Sequence, residues 1–190
     1  MTTINLAKQR VLVGDDKTLA QRASSDSAAF DALYRRYVRR VYRYCYTHSG
    51  NAADAEDLTA QTFLAALEGI GRFRGRGTFA AWLFGIAWRK CKDHHRQRYR
   101  KPQERLDKAE RLPNPEAINL ERHAYKQDIL ECVQTMWNHL SEDRQEVLRL
   151  RFWAGLNTAE TANVMGRSRA AVKMLLSRAV SDIRERCLHE

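Results

Sequence analysis

The 190-residue chain has only three prolines and nine glycines, and no segment in which apolar and polar residues alternate as they do in a β-strand. It also lacks any apolar run near the ~18–20 residues that span a membrane, and its N-terminus has no apolar segment of the kind that a signal peptide carries. These absences predict an all-α protein that is soluble and cytoplasmic, without membrane insertion.

Cysteine is also scarce. The four cysteines are Cys45, Cys91, Cys132 and Cys187. They are far apart and form no C-x-x-C pair, so we expect them to remain reduced thiols. A zinc site built from Cys91, His94 and His95 would need a fourth ligand, and none stands nearby in the sequence. We therefore predict no metal site and no cofactor.

Positive charge is what the chain has in excess, with a formal net charge of +10 and a pI of about 9.8. Segment 71–101 holds ten Arg or Lys and one Asp, and segment 166–187 holds six basic and two acidic residues. Segment 51–70 has four carboxylates and no basic residue. Two basic surfaces predict contact with DNA at two places, and the acidic surface predicts a different partner.

The apolar periodicity predicts two small helical domains on a flexible tether. The predicted division is an N-terminal tail at 1–15, a first domain at 16–101, a linker at 102–121 and a second domain at 122–190. The linker contains all three prolines and no apolar periodicity. The predicted helices of the first domain are Asp16–Ala23, Ala28–His48, 51–70 and a long helix after Thr78. The predicted core face of the third helix consists of Leu58, Thr59, Phe63, Leu67 and Ile70.

The end of the chain predicts a helix-turn-helix. Asn157 precedes Glu160 by three residues, which is the spacing of a capping box at the start of a helix. Gly166 can end that helix in the left-handed conformation, and Ser168 can cap the next one. Such a pair of helices places its second member in the major groove of DNA.

Two faces of this last helix differ in chemistry. The apolar face consists of Val172, Leu175, Leu176, Ala179 and Ile183. Arg169, Lys173 and Ser177 share another face, and Arg167 and Arg178 stand near its ends. The alternative is an ordinary helical hairpin whose charges are simply solvated.

Segment 71–77, GRFRGRG, is too rich in glycine to be helical and too basic to be buried. Phe73 stands among its arginines, while the aromatic residues among the cations of the next helix are Trp88, His94, His95 and Tyr99. Cations follow a phosphate backbone and aromatic faces stack on unpaired bases, so the combination favours melted DNA. The alternatives are a mobile solvated loop and, for Phe79 and Trp82, a place in the core.

Several blocks of this sequence resemble the extracytoplasmic-function (ECF) sigma factors, which are promoter-specificity subunits of bacterial RNA polymerase. The blocks AFDALYRRYVRRVYRY, NAADAEDLTAQTFLAAL and FRGRGTFAAWLFGIA are similar to domain two of that family. The segments LSEDRQEVLRLRF and TAETANVMGRSRAAVKMLLSRA are similar to its domain four. The resemblance runs from about Lys17 to Arg186 and implies binding to core polymerase, to duplex and melted promoter DNA, and to an anti-sigma factor.

The resemblance also implies roles for particular residues. The acidic helix would dock on the largest polymerase subunit through Asp54, Asp57, Leu58, Gln61 and Phe63. The minus-ten element would be captured and held by Arg72, Phe73, Arg74, Arg76, Trp88, Arg89, Lys92, His95 and Arg96. The minus-thirty-five element would be read by Arg167, Ser168, Arg169, Ala170, Lys173, Ser177 and Arg178. The distances from Lys17 and Arg186 to the chain ends predict neither an inhibitory N-terminal region nor an additional C-terminal domain.

Two other classes of protein remain as alternatives. One is a helix-turn-helix regulator that binds duplex DNA by itself, although such a regulator needs neither the acidic helix nor the aromatic and basic loop. The other is a nucleic-acid enzyme that holds Mg²⁺ on Asp54, Glu56 and Asp57. Carboxylates at these spacings splay around a helix axis, and no base accompanies them. We therefore predict no enzymatic activity and no catalytic residues.

Overall fold

A computed structural model describes residues 14–100 and 120–187, except for the side chains of residues 99–100 and 120–128. All regular structure in these ranges is helical, which confirms the all-α prediction. The helices form two compact units, called here the first unit (14–100) and the second unit (120–187). The predicted tail and linker lie outside the described residues except for residues 14, 15, 120 and 121. The last two belong to a helix that begins at Leu120.

The first unit contains four α-helices and one 3-10 turn. They are α1 (Asp16–Arg22), α2 (Ser27–Ser49), α3 (Ala52–Gly69), the 3-10 turn Ile70–Arg72 and α4 (Phe79–Arg100). Asp26 caps α2 by accepting hydrogen bonds from the N–H groups of Ala28 and Ala29. Gly50 ends the helix with a φ of 70°, a left-handed conformation that costs glycine nothing. These local signals are readable in sequence, and the predicted bounds therefore differ from the observed ones by only one residue or so.

Aromatic side chains dominate the core of the first unit. Tyr44 on α2 meets Phe84 on α4 edge-to-face with ring centroids 5.4 Å apart, and Tyr37 meets Phe79 at the same separation. Such contacts add about 0.5–1.5 kcal/mol to the burial of the rings. The Tyr37 hydroxyl donates a hydrogen bond to Asp16 on α1. Burial, and secondarily Asp16, raises the pKa of Tyr37, so its hydroxyl keeps the proton that joins α1 to α2.

The prediction is wrong for one residue of the core face of α3. Leu67 is 49% exposed, whereas the other four residues of the predicted face are buried. The buried face of α3 is centred on Thr62 and Ala66, which are both fully buried. Because an α-helix turns about 100° per residue, Leu67 lies at the edge of this face.

The second unit contains four α-helices and one π-helical turn. They are α5 (Leu120–His139), α6 (Glu142–Leu148), the π turn Arg149–Trp153, α7 (Thr158–Met165) and α8 (Arg169–Cys187). Its core includes Trp137, Val147, Leu150, Leu156 and Val172. The buried Arg149 guanidinium lies 4.9 Å from the Trp137 ring centroid, and its nitrogen lies 4.0 Å from a Glu146 oxygen. A buried charge needs such partners because desolvation alone would cost several kcal/mol.

The cysteine prediction is wrong for one pair. Cys132 on α5 and Cys187 at the end of α8 form a disulfide, with Cα atoms 5.6 Å apart. They are separated by 55 positions and meet only because α5 packs against α8, which spacing in the sequence does not reveal. Cys45 and Cys91 are buried thiols in the first unit, as predicted.

Candidate nucleic-acid interfaces

The helix-turn-helix is present in the second unit as predicted. The Asn157 side chain accepts hydrogen bonds from the N–H groups of Ala159 and Glu160, and the Glu160 carboxylate accepts one from the Asn157 N–H at 2.7 Å. This is a complete capping box at the start of α7. Gly166 ends α7 with a φ of 61°. The sharp turn that follows sets the direction of α8.

The face of α8 that was predicted to bind DNA is exposed. Ser168 caps the helix by accepting a hydrogen bond from the Ala171 N–H at 3.1 Å. All seven predicted residues, from Arg167 to Arg178, are exposed. Arg169, Lys173 and Ser177 follow one another at four-residue spacing and form what we call the recognition row. Because Val172 and Ala179 on the other side are fully buried, packing fixes this row outward.

Arg167 differs from the recognition row because it has a partner inside the unit. Its guanidinium donates to the Asp143 carboxylate of α6 at 2.7 Å, and both side chains are about half exposed. Asp182 on α8 accepts a hydrogen bond from Arg144 on α6. One ion pair therefore joins α6 to the turn before α8, and the other joins α6 to α8 nearer its end. Exposed pairs of this kind contribute about 0–1 kcal/mol each and mainly fix orientation.

Residues 71–77, which we call the basic loop, are partly buried, and the interpretation of Phe73 as an exposed stacking surface is wrong. Phe73 is only 8% exposed, and its ring centroid lies 5.5 Å from that of Trp82 and 6.0 Å from that of Phe79. Burial of a large aromatic ring outweighs the polarity of its neighbours in the sequence. Phe73 therefore anchors the loop in the aromatic core. The cations beside it are exposed: Arg72, Arg74 and Arg76.

The predicted residues of α4 form two neighbouring rows. Trp88, Lys92 and His95 lie on successive turns, and the Lys92 ammonium is 4.8 Å from the Trp88 ring centroid. Arg89 and Arg96 form the second row, and both are exposed. His95 is half-buried, with its ring 5.9 Å from that of the buried His48. The predicted Tyr99 side chain lies outside the described residues. This helix thus offers cations beside one partly exposed indole ring.

The acidic helix α3 exposes only part of its predicted docking residues. Leu58 and Phe63 are buried, and Phe63 meets Tyr34 edge-to-face at 4.7 Å. The Asp54 carboxylate accepts from Asn51 at 2.6 Å and lies 3.6 Å from the His94 ring nitrogen on α4. These three residues hold α3 in place. Asp57 is exposed, and its carboxylate accepts a hydrogen bond from the exposed Gln61 at 2.7 Å.

The structure adds an exposed leucine that sequence reasoning missed. Leu64 is 58% exposed, and it lies three residues after Gln61 on the side of α3 opposite the buried Thr62 and Ala66. We call Asp57, Gln61 and Leu64 the docking face. The sequence did contain a signal for Leu64. Asp57, Gln61 and Leu64 are spaced by four and three residues, and this spacing places all three on the same side of a helix.

The alternative metal sites have no converging donors. Cys91 is fully buried, while His94 faces Asp54 on α3. Asp54 points toward α4, whereas Asp57 is exposed and bonded to Gln61, so these carboxylates do not meet. Within residues 14–100 and 120–187, no group of three or more His, Cys, Asp or Glu side chains could hold an ion. No helix in the same ranges is long and apolar enough to cross a membrane.

The two units correspond in order to two regions of the sigma-70 class of transcription factors. The family model of sigma-70 region 2 matches residues 33–101, and that of sigma-70 region 4 matches residues 130–183. The chain is 31% identical over 158 residues to the ECF RNA polymerase sigma factor SigC of Mycobacterium tuberculosis, covering 83% of this chain and 82% of that one. The chain belongs to the ECF sigma factors.

One further relative supports this membership, and one solved structure has the same fold. The chain is 42% identical over 168 residues to the ECF sigma factor BldN of Streptomyces coelicolor, covering 85% of this chain but only 62% of the length of BldN. It shares its fold with the sigma factor RpoE of Bartonella quintana, solved with the anti-sigma factor NepR. That match has a TM-score of 0.65 and 22% identity, and covers 82% of this chain and 94% of the other.

Proposed function

We propose that this chain is the promoter-specificity subunit of a bacterial RNA polymerase and that it acts in the cytoplasm without a cofactor or a catalytic activity. The observation that carries the proposal is the presence of two exposed cationic surfaces on separate helical units. One is a helix-turn-helix with an outward recognition row, and the other is a basic loop beside a cationic helix. A regulator that binds duplex DNA alone needs only the first.

The second unit would bind the duplex minus-thirty-five element. The recognition row lies on a helix whose start is fixed by the Gly166 turn and the Ser168 cap. In this motif, the N-terminal residues of the second helix contact base edges in the major groove. Arg169 and Lys173 would donate to bases or phosphates, and Arg178 would contact the backbone, whereas Arg167 would stay paired with Asp143 and support the turn before α8. Ala170 and Ser177 are small enough to let the helix approach closely.

The first unit would hold the melted minus-ten element. Arg72, Arg74 and Arg76 point away from the Phe73 anchor and would bind phosphates of the displaced strand. Trp88 would offer a ring face to an unpaired base, next to the cations Lys92, Arg89 and Arg96. Extruding a base costs a few kcal/mol, and stacking on an aromatic ring returns ~1–3 kcal/mol. Because Phe73 is buried, we propose that it supports the basic loop and does not contact a base.

The docking face of α3 would bind core polymerase. It combines a carboxylate, an amide and an exposed apolar side chain on one side of a well-fixed helix. Interfaces of this kind place an apolar anchor beside polar groups that orient the partner. Asp54, Leu58 and Phe63 would support this contact by fixing α3 against α4 and α2. A protein anti-sigma factor, as found with the Bartonella RpoE, would be the natural inhibitor of such a subunit.

The test is transcription in vitro with purified bacterial core polymerase on a pool of genomic promoters, with and without the full chain. We expect discrete new start sites that require the protein and that share two upstream sequence elements. Specific binding of the chain alone to duplex DNA, with no initiation, would contradict the proposal and indicate a stand-alone regulator.

A further inference from the structure

The disulfide between α5 and α8 lies outside the core of the second unit. The fully buried residues of α8 are Val172 and Ala179, and Cys187 is the last residue of the helix, two turns beyond Ala179. On α5, the buried Met136 and Trp137 follow Cys132 by about one turn. Both cysteines are half-buried. The bond therefore joins two helix segments that lie beyond the fully buried side chains of the unit, next to the half-buried Val133 and Ile183.

The packing beside this bond is incomplete. A surface pocket of about 260 Å³ lies between the end of α5 and the end of α8. It is lined by Met136, His139, Leu140, Asp182, Glu185 and Arg186. Most of these side chains are polar, so little apolar burial holds the last two turns of α8 against α5. The covalent bond to α5 and the ion pair between Arg144 on α6 and Asp182 are thus the ties that hold this end of the helix.

We propose that Cys132 and Cys187 are a reversible thiol–disulfide modification site that controls the helix carrying the recognition row. The proposal rests on the proposed function, because a polymerase subunit works in the cytoplasm. There, glutathione and thioredoxin keep most thiols reduced, and disulfides that form are usually transient or redox-sensing. A bond outside the core can open without unfolding the unit, which is what a reversible site requires.

The oxidant for this step is a small disulfide such as oxidised glutathione. The thiolate of one cysteine attacks the small disulfide, which gives a mixed disulfide and releases one small thiol. The thiolate of the other cysteine then attacks the mixed disulfide at the protein sulfur, which forms the Cys132–Cys187 bond and releases the second small thiol. The protein loses two electrons and two protons, and the small disulfide gains them.

Oxidation fixes the far end of α8 relative to α5, whereas reduction leaves the turn beyond the Arg144–Asp182 ion pair free to fray. The recognition row lies upstream on the same helix. A helix fixed at both ends loses less conformational freedom when it enters a DNA groove, so the oxidised form binds the minus-thirty-five element more tightly. The buried core around Trp137, Val147 and Val172 is present in both forms.

The experiment titrates the full chain in glutathione buffers from fully reduced to fully oxidised. Alkylation followed by mass spectrometry measures the Cys132–Cys187 bond, and the affinity of the holoenzyme is measured on promoters with an intact and with a scrambled minus-thirty-five element. We expect the bond to form and open within the series, and reduction to weaken binding several-fold on the intact promoter only. Cys132→Ser with Cys187→Ser should bind like the reduced protein in every buffer.

A Cys91→Ala variant, which keeps the pair, is the matched control and should respond like the native chain. If the double serine variant fails to fold, amide exchange at the end of α8 in the native chain, reduced against oxidised, gives the same comparison. The proposal is overturned if Cys132 and Cys187 stay bonded, or stay reduced, in every buffer of the series. It is also overturned if the bond forms and opens while the affinity for the promoter does not change. If the disulfide forms and opens as expected but the chain supports no transcription in any buffer, the proposed function is contradicted. The proposal of a reversible thiol–disulfide site is not contradicted by that result.

Discussion

The two cationic surfaces of the molecule are supported in different ways. In α8, the residues that would meet DNA and the packing residues lie on different faces of one helix, so the burial of Val172 and Ala179 leaves Lys173 and Ser177 exposed. The basic loop of the first unit has no such regular support, and its conformation depends on Phe73 inserted among Phe79 and Trp82. A rigid helix suits a duplex groove of constant shape, whereas an anchored loop suits a strand whose bases have been separated.

Substitution of Phe73 is expected to have the largest effect on stability, and this effect distinguishes the basic loop from the recognition row. Phe73→Ala removes a buried ring and should lower the free energy of unfolding of the first unit by about 3 kcal/mol. The loop should then no longer hold unpaired bases, so the permanganate reactivity of thymines in the bubble should fall. Denaturant unfolding of the full chain, followed by circular dichroism, measures the stability.

Arg72→Ala is the matched control for this prediction. It removes an exposed neighbour of Phe73, so stability should change by less than about 0.5 kcal/mol. Promoter opening should still weaken, because the variant has one cation fewer to bind a phosphate. If Phe73→Ala leaves stability unaltered, Phe73 is not an anchor and the two surfaces do not differ in their support.

The recognition row should behave in the opposite way, because its side chains bind DNA without supporting the fold. Arg169→Ala or Lys173→Ala should weaken holoenzyme binding at the minus-thirty-five element by about 1–3 kcal/mol while the stability of the second unit stays the same. Footprints on promoters with and without that element measure the weakening. Arg184→Ala removes an exposed cation from the last turns of the same helix and should have little effect. Unchanged footprints for Arg169→Ala would remove this face from the DNA interface.

The docking face of α3 should respond to charge reversal. Asp57→Arg places a cation beside Leu64 and should reduce the affinity for core polymerase by about 1–2 kcal/mol, because the complementary charge is replaced by its opposite. The fold should persist, since Asp57 is exposed. Quantitative pull-down with core polymerase measures the change. Asp93→Arg, the same reversal on α4, is the control, and equal losses of affinity for both variants would contradict a specific docking face.

The smallest effect is expected at the ion pair that joins α6 to α8. Asp143→Asn releases Arg167 from its carboxylate partner, so Arg167 becomes available to a phosphate. Binding to the minus-thirty-five element should strengthen about twofold, and the salt dependence should steepen by about one released counterion. A salt titration of holoenzyme binding measures both. Glu142→Gln is the control, because it removes a neighbouring exposed carboxylate. It should change the salt dependence and the affinity of holoenzyme binding less than Asp143→Asn does.

Local signals account for what could be predicted from the sequence. The capping pair Asn157 and Glu160 and the turn at Gly166 depend only on residues within one helical turn, and all three lie as predicted. The positions of Phe73 and Asp54 depend on other elements. Phe73 is buried because α4 brings Trp82 beside it, and Asp54 faces inward because α4 places His94 opposite. The Cys132–Cys187 bond is likewise a product of helix packing, which local periodicity does not encode.

The alternation in the basic loop has a consequence for how such a protein can change the strength of its contact with DNA. Phe73 points inward while Arg72, Arg74 and Arg76 point outward, so the residues that would meet DNA are separate from the one that holds the loop. Substitutions at the three outward positions leave the aromatic cluster intact. A library randomised at these three positions alone would therefore sample many strengths of minus-ten binding on one constant scaffold, with few members lost to misfolding.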